Sequence, residues 1–331
     1  MITSWVYSIG PIGTGAAIWL LLYLLYGTQR RSQDVPRYLR EPPTGWKPCE
    51  VGYLCKWGQL DAQDMTAMIM DLVRRGVLHF VAPEATTTRS LWMAEGLEQQ
   101  LEPDPHHPGG LSPAERYLVE TVLLEGVPSG RTSMQEFAKR AAADPRVMMG
   151  KYLQWQELAE AESEKIAVTD RGSVIARGAA VLVGLLLFPA SFLLVGASRS
   201  YVPALGVAVG AALLAFSGKI RRRTWRAAHA YDEWQAFRRY LLDFSRLADD
   251  PAPAIAVWDE YLVYAVSLGV AHRVLAQFRP LAPTPVDESN TWLTAVPHWT
   301  YESGSWTDAF GDAWAVLSSG NSGAKIVRPR R

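Results

Sequence analysis

The sequence predicts a mainly α membrane protein, with three transmembrane helices, tandem winged-helix-like (α+β) cytoplasmic units and a helical C-terminal cytoplasmic domain. Three observations lead there. Two apolar runs, Ala179–Ala197 and Tyr201–Ser217, lie back to back, separated only by Ser198-Arg199-Ser200, and contain no Asp, Glu, Lys, Arg or His. A third apolar run, Ile9–Tyr26, precedes Arg30-Arg31. Between and after these runs, apolar residues recur at helical spacing and are punctuated by Gly- and Pro-rich breaks.

A helix rises about 1.5 Å per residue and the hydrocarbon core of a bilayer is about 30 Å thick. Residues 1–27 are thus read as the first transmembrane helix. Nothing charged precedes the apolar stretch, and Arg30, Arg31, Arg37 and Arg40 follow it. Basic residues stay on the cytoplasmic side, which puts the N-terminus outside. A cleaved export signal would carry its basic residues before the apolar stretch and a small-residue site after it. Residues 178–198 and 201–218 form the second and third transmembrane helices, a hairpin whose second arm is short and is accommodated by tilt or local thinning. Arg171 and Arg177 precede the hairpin, Lys219, Arg221, Arg222, Arg223 and Arg226 follow it, and Arg199 alone occupies its turn. Both charge patterns place 28–177 and 219–331 in the cytoplasm, with the chain in a bacterial plasma (inner) membrane.

Residues 28–46 read as a proline-stiffened linker through Arg40-Glu41-Pro42-Pro43. Residues 47–101 form the first winged-helix-like unit. Asp61 or Asp64 caps a helix whose Met65, Ile69, Leu72 and Val73 share a face, and Gly76 ends it. Val77–Val81 and Ser90–Met93 then read as a β-hairpin. Residues 102–111 are a second linker. Residues 112–172 form a second, degenerate unit: Ser112-Pro113-Ala114-Glu115 opens a helix to Leu124, and a longer one spans about Arg146–Glu162 with Val147, Tyr152, Trp155 and Leu158 as its apolar positions. Ile166–Val168 is expected as a short strand. Residues 219–280 are a helical domain, with one helix over Ile220–Leu247 carrying Trp234, Phe237, Leu241 and Phe244, a second over Ala254–Leu268 stopped by Gly269, and a third over Val270–Phe278. Residues 281–331, rich in Pro, Ser, Gly and Trp, are expected to be partly disordered; Trp292, Trp299 and Trp306 recur there every seven residues, with Pro297 and Gly304 interrupting any helix.

The order of Val51-Gly52-Tyr53-Leu54, Asp61-x-x-Asp64-Met65-Thr66-Ala67, Asp71-Leu72-x-x-Arg75-Gly76, Leu111-Ser112-Pro113-Ala114-Glu115, a membrane hairpin, Trp234-x-x-Phe237-x-x-Tyr240-Leu241 and Ile255-x-Val257-Trp258-Asp259-Glu260-Tyr261-Leu262-Val263-Tyr264 resembles the cytoplasmic half of the YciQ-like predicted bacterial membrane proteins, a family of unknown function. The resemblance covers roughly residues 10–280. It implies an exported signal and an external β-rich domain ahead of the first helix. Neither stands in this sequence, so the external domain is expected as a separate chain, as a part lost in a shortened member, or upstream of the start. The family brings no catalytic residues to carry over.

No Walker-type phosphate loop, strand-borne G-x-G-x-x-G, His-Glu-x-x-His or Cys-x-x-Cys motif occurs. Cys49 and Cys55, six apart, read as ordinary thiols, and His106-His107 sits in a Pro/Gly linker. Catalytic, cofactor-binding and metal-binding residues are therefore assigned as none. The three apolar runs offer no ionisable path for a polar solute, whereas Gly206-x-x-x-Gly210 offers a small face for helix pairing. Over residues 43–170, 12 Lys and Arg stand against 19 Asp and Glu, a poor match for phosphate. The Met-rich helix instead suggests a protein-contact surface at Met65, Ile69, Met70, Arg74 and Arg75. The partners are then the lipid bilayer and another protein, with an exported β-rich protein one candidate, and no nucleic acid. The chain reads as a non-enzymatic scaffold or signal-transducing module tethered to the inner membrane. The alternatives are a membrane-tethered winged-helix DNA-binding regulator and an enzyme of unrecognised type.

Overall fold

The computed structural model describes residues 2–30, 34–81, 100–104, 110–198, 205–243, 255–271 and 273–274. In chain order the elements are α1 (Ile2–Tyr26), α2 (Pro48–Cys55), α3 (Ala62–Arg74), β1 (Leu78–Val81), β2 (Gln100–Pro103), α4 (Pro113–Tyr117) continued by a π-helical turn (Leu118–Leu123), β3 (Thr132–Ser133), α5 (Met134–Ala143), α6 (Pro145–Ser163) with a 3-10 turn (Glu164–Ile166), α7 (Arg171–Ser198), α8 (Leu205–Ser217), α9 (Trp225–Asp243) and α10 (Ile255–Ser267). They divide into two compact units: unit 1, Met1–Val35 with Ala167–Asp232, and unit 2, Pro36–Ile166 with Glu233–Arg331.

Unit 1 is a bundle of α1, α7 and α8, each packed on the other two. One helix, Arg171–Leu193, is long and apolar enough to cross a membrane, and Ile12–Tyr26 and Leu205–Ser217 are shorter apolar helices. Among the described residues, the exposed large apolar side chains all belong to α1, α7 and α8, except Val147, Leu153 and Trp225. α7 and α8 approach closely where side chains are missing. A Cβ on Gly210 would lie 2.9 Å from the Gly184 carbonyl oxygen, and one on Gly184 2.9 Å from Leu214. Pro189 interrupts the hydrogen-bond ladder of α7, and near it the Ser191 hydroxyl donates to the Leu187 carbonyl.

The other end of unit 1 is tied by Arg222. Its guanidinium donates to the Leu25 carbonyl at the end of α1 (2.8 Å) and to Asp170 Oδ2 at the start of α7 (2.7 Å), and it lies over the Tyr26 ring. The backbone pairs alongside it, Asp170 N–H to Arg222 O and Thr224 N–H to Val168 O. The helix expected from Ile220 therefore starts only at Trp225: Ile220 and Arg221 close turns onto Ser217 and Lys219, and residues 222–224 pair with 168–170 instead of entering a helix. The strand expected at Ile166–Val168 is likewise replaced, by the 3-10 turn and an isolated bridge between Thr169 and Arg223.

Unit 2 gathers α2 to α6 around one core, with Leu54, Met65, Ile69, Leu72, Phe137 and Trp155 fully buried. The two units expected from the sequence therefore share a core, and they share a sheet as well. β1 pairs antiparallel with β2 (Leu78 opposite Pro103, Val81 opposite Gln100), and β2 pairs antiparallel with β3 (Gln100 opposite Ser133). The described partner of β1 is thus Gln100–Pro103, which runs into the expected 102–111 linker; the strand expected at Ser90–Met93 lies outside the described residues.

Local chemistry sets the helix ends. At α3 both candidate caps act: Asp61 Oδ1 accepts from Gln63 N–H (2.9 Å), and Asp64 Oδ2 accepts back from Asp61 N–H (2.9 Å). Gly76 closes α3 at φ 73°, with Val77 N–H reaching back to Leu72 O. Ser112 and Glu115 form the expected capping box, but after one turn the helix slips to π spacing. That slip buries Leu118, Val119, Val122 and Leu123 together.

α9 and α10 join through an aromatic cluster in which Trp234 meets Tyr264 (4.9 Å between ring centres) and Phe237 meets Tyr261 (5.2 Å). The segment expected as a proline-stiffened linker is pinned to these helices. Tyr261 OH donates to Arg40 O, Tyr264 OH to Trp46 O (2.8 Å), Arg239 Nε to Arg37 O (2.8 Å), and Tyr38 OH to Asp243 Oδ2 (3.1 Å). α10, Ile255–Ser267, falls within the expected Ala254–Leu268 and keeps the Gly269 stop, at φ 67°. Phe244, Trp292, Trp299, Trp306, Arg199, His106-His107 and most of the expected Val270–Phe278 helix lie outside the described residues.

Candidate functional site

The polar chemistry of unit 2 concentrates where α2, α3 and α4 meet. Asp64, fully buried on the first turn of α3, receives Lys56 Nζ at 2.7 Å on Oδ2, and the same ammonium reaches Asp61 Oδ1 at 2.6 Å. Its other oxygen, Oδ1, is buried without a hydrogen-bond partner and faces Gly52 of α2. A Cβ at Gly52 would fall on that oxygen, so glycine is what lets the carboxyl into the helix interface. Burial, opposed by Lys56 and reinforced by Asp61, pushes the Asp64 carboxyl up from 3.8 to about 7. Burial pulls the Lys56 ammonium down, but attraction to Asp64 and Asp61 outweighs it and leaves its pKa raised.

A second chain of charges starts at Glu115, which is 1% exposed. Glu115 Oε1 takes Lys47 Nζ at 2.8 Å and Arg75 NH2 at 2.6 Å, while Oε2 accepts from Ser112 N–H. Burial raises its pKa, and the contacts to Lys47, Ser112 and Arg75 more than reverse that, holding it below the usual carboxylate range. Arg75 also pairs with Asp71 at 2.9 Å, and Asp71 accepts from Arg74 at 2.8 Å. Lys165 reaches Glu50 at 2.7 Å. Buried charges are tolerated only when paired and hydrogen-bonded.

The proposed contact surface on α3 is corrected by this arrangement. Met65 and Ile69 are core residues, Met70 is 3% exposed, and Arg74 and Arg75 hold Asp71 and Glu115. α3 is covered on both sides, by the α2–α6 core and by α10, so its methionines face this chain and not another. Gly206 and Gly210 are buried between helices, Gly206 against Ser191 and Gly210 against Gly184, Leu187 and Phe188. Cys49 is buried, its thiol directed at the Asp64 carbonyl and its pKa pushed up by burial and then by the Asp64 charge. Among the described residues no group of three or more His, Cys, Asp or Glu is placed to hold a metal ion.

Sequence reading missed the roles of Lys47, Lys56, Asp71 and Glu115 as buried ion-pair members. Asp61, Asp64 and the Ser112–Glu115 box were visible as caps. That a cap carboxylate also collects arginine and lysine from 40 and 68 positions away has no local signature.

No curated protein and no solved structure matches the chain. A family model does: the C-terminal domain of the predicted membrane proteins DUF2207 matches residues 35–278, a span that takes in the charge network, α7, α8 and the aromatic cluster. The chain therefore belongs to the DUF2207 family of predicted membrane proteins, the family its sequence resembles.

Proposed function

We propose that this protein is a membrane-tethered protein-interaction module of scaffolding or signalling type. In this reading α1, α7 and α8 all cross the bilayer, the N-terminus lies outside, and unit 2 is cytoplasmic. Support for three crossings comes from the exposed apolar side chains on all three helices, such as Leu21, Leu185, Phe192 and Phe216, which water would not favour and lipid would. Support for the orientation comes from the basic residues after α1 and around the hairpin. α2, α3 and the antiparallel β1–β2 pair serve as a winged-helix-like platform whose helix is turned inward.

One observation carries the interaction reading. Among the described residues of unit 2, the exposed large apolar side chains are Val147 (54%) and Leu153 (49%), on either side of exposed Gly150 on one outward sector of α6. At 100° per residue these three positions span about 120° of the helix surface. Arg74 and Arg75, the cations that a groove-reading α3 would need for DNA, are engaged in ion pairs.

Photo-crosslinking from positions 147, 150 and 153 of the full chain in native membranes tests this. The expected result is a discrete adduct with one protein, lost on Leu153→Asp. No adduct from any of the three, with the chain intact and inserted, contradicts it. A duplex-DNA shift by the detergent-solubilised chain that weakens steeply with salt favours the regulator instead.

A further inference from the structure

The outward sector of α6 carries charge as well as the apolar pair Val147 and Leu153. Arg146 and Glu157 are both exposed on it, and neither side chain is engaged in an ion pair or hydrogen bond among the described residues. At 100° per residue, Glu157 returns to within about 20° of Arg146, about 16 Å farther along the axis. Gly150 lies between them within about 40° of both, and Val147 and Leu153 stand about 60° to either side of it. Packing within one chain asks for neither the cation nor the glycine. Arg146 is in the first turn of α6, where the helix dipole disfavours a positive charge. Gly150 is in the body of the helix, where glycine costs stability relative to alanine. Unlike Gly52, Gly184 and Gly210, which close neighbours require, a Cβ on Gly150 would meet nothing within 4 Å.

This face is complementary to itself. Turned end for end, α6 of a second copy sets its Glu157 opposite Arg146 and its Arg146 opposite Glu157, so both cations and both carboxylates find partners at once. Between the two pairs the helices meet at Gly150, where the missing side chain lets the backbones approach. Val147 and Leu153 of each copy flank that contact and leave water on association. Opposite charges across such a contact fix its register and direction more than they add affinity. A two-fold contact of this kind uses the same patch twice, the commonest way for a chain to join a copy of itself.

We propose that unit 2 joins unit 2 of a second copy of this chain through antiparallel α6 helices, with Arg146 of each copy against Glu157 of the other and Gly150 at the crossing. This rests on the interaction reading above and names its partner.

The test uses the full chain in native membranes, carrying Cys49→Ala, Cys55→Ser and the reporter Gly150→Cys. Mild oxidation is expected to give a disulfide-linked dimer at a yield at least about 5-fold above that from Ser129→Cys, an exposed position outside α6. Arg146→Glu or Glu157→Arg alone should lower the Gly150→Cys yield by about 5-fold or more, because each sets like charges face to face. The two swaps together should restore it, a result that misfolding does not produce. Equal yields from Ser129→Cys and Gly150→Cys overturn the α6 contact. Single swaps that leave the yield unchanged, or a double swap as poor as the singles, overturn the pairing of Arg146 with Glu157. Photo-crosslinking from position 150 separates this inference from the reading beneath it. A self-adduct is expected. An adduct with a different protein overturns the second copy as occupant and leaves the interaction reading standing, whereas no adduct of either kind overturns both.

Discussion

Gly52 and Asp64 are the pair on which the interior of unit 2 turns. A buried carboxylate with one paired and one unpaired oxygen is held against a position where no side chain fits. Gly52→Ala is expected to destabilise by about 1 to 3 kcal/mol, as overpacking does in a filled interface, read as a lower Tm of the detergent-solubilised chain; an unchanged Tm contradicts the packing described. Asp64 and Glu115 also predict opposite pH dependences. With the Asp64 carboxyl raised to about 7, the folded state binds a proton that the unfolded state has lost between about pH 4 and pH 7. The stability Asp64 supplies is full below its unfolded value of 3.8 and falls as pH rises through 7. Glu115 is shifted down from 4.5, so its stabilisation is full above that value and is lost as pH falls through its lower folded pKa. In melts from pH 3 to 8, the gap between wild type and Asp64→Asn should therefore shrink with rising pH, and the gap to Glu115→Gln should grow. Parallel curves would contradict both assignments.

At the scale of the element, α6 separates core from surface. Trp155 is fully buried, with its indole N–H directed at the Met68 sulfur, whereas Leu153 and Val147 are exposed. Trp155→Ala is expected to cost about 3 to 5 kcal/mol, and Leu153→Asp to stay within about 0.5 kcal/mol; chemical denaturation of unit 2 in the intact chain, followed by tryptophan fluorescence, distinguishes them. A large loss on Leu153→Asp would place that residue in the core. Much of this level was legible from local pattern: the α3 caps, the Ser112 box and the Gly76 and Gly269 stops all follow from side chains within a few residues. What was not legible depended on distance. α3 was read with one apolar face, yet α10, nearly 200 positions downstream, covers the other. Residues 37–46 read only as a linker because the tyrosines that fasten two of their carbonyls lie in α10. Val147 was read with Tyr152, Trp155 and Leu158 as an apolar position of α6, and it sits in the first turn, just past the Asp144 cap, on the outward sector.

For the whole molecule, the division of charge gives the account its direction. A basic unit built on apolar helices and an acidic unit built on one closed core suit a chain with one part in and against an acidic bilayer and the other turned to protein. The basic residues on which the proposed orientation rests are also used in packing: Arg222 clamps the ends of α1 and α7, and Arg223 lies 3.7 Å over the Tyr231 ring. A basic run that the sequence offers only as a topology signal is thus partly structural, which its spacing alone does not reveal.

The most direct measurement is the sidedness of single cysteines in a chain carrying Cys49→Ala and Cys55→Ser. Cysteines introduced at Ser4, Ser129 and Ser200 are probed in intact cells with a membrane-impermeant maleimide, before and after permeabilisation. The account predicts labelling of Ser4→Cys and Ser200→Cys from outside, and of Ser129→Cys only once the membrane is opened. Labelling of Ser129→Cys in intact cells, or protection of Ser200→Cys until permeabilisation, would contradict the three-crossing arrangement.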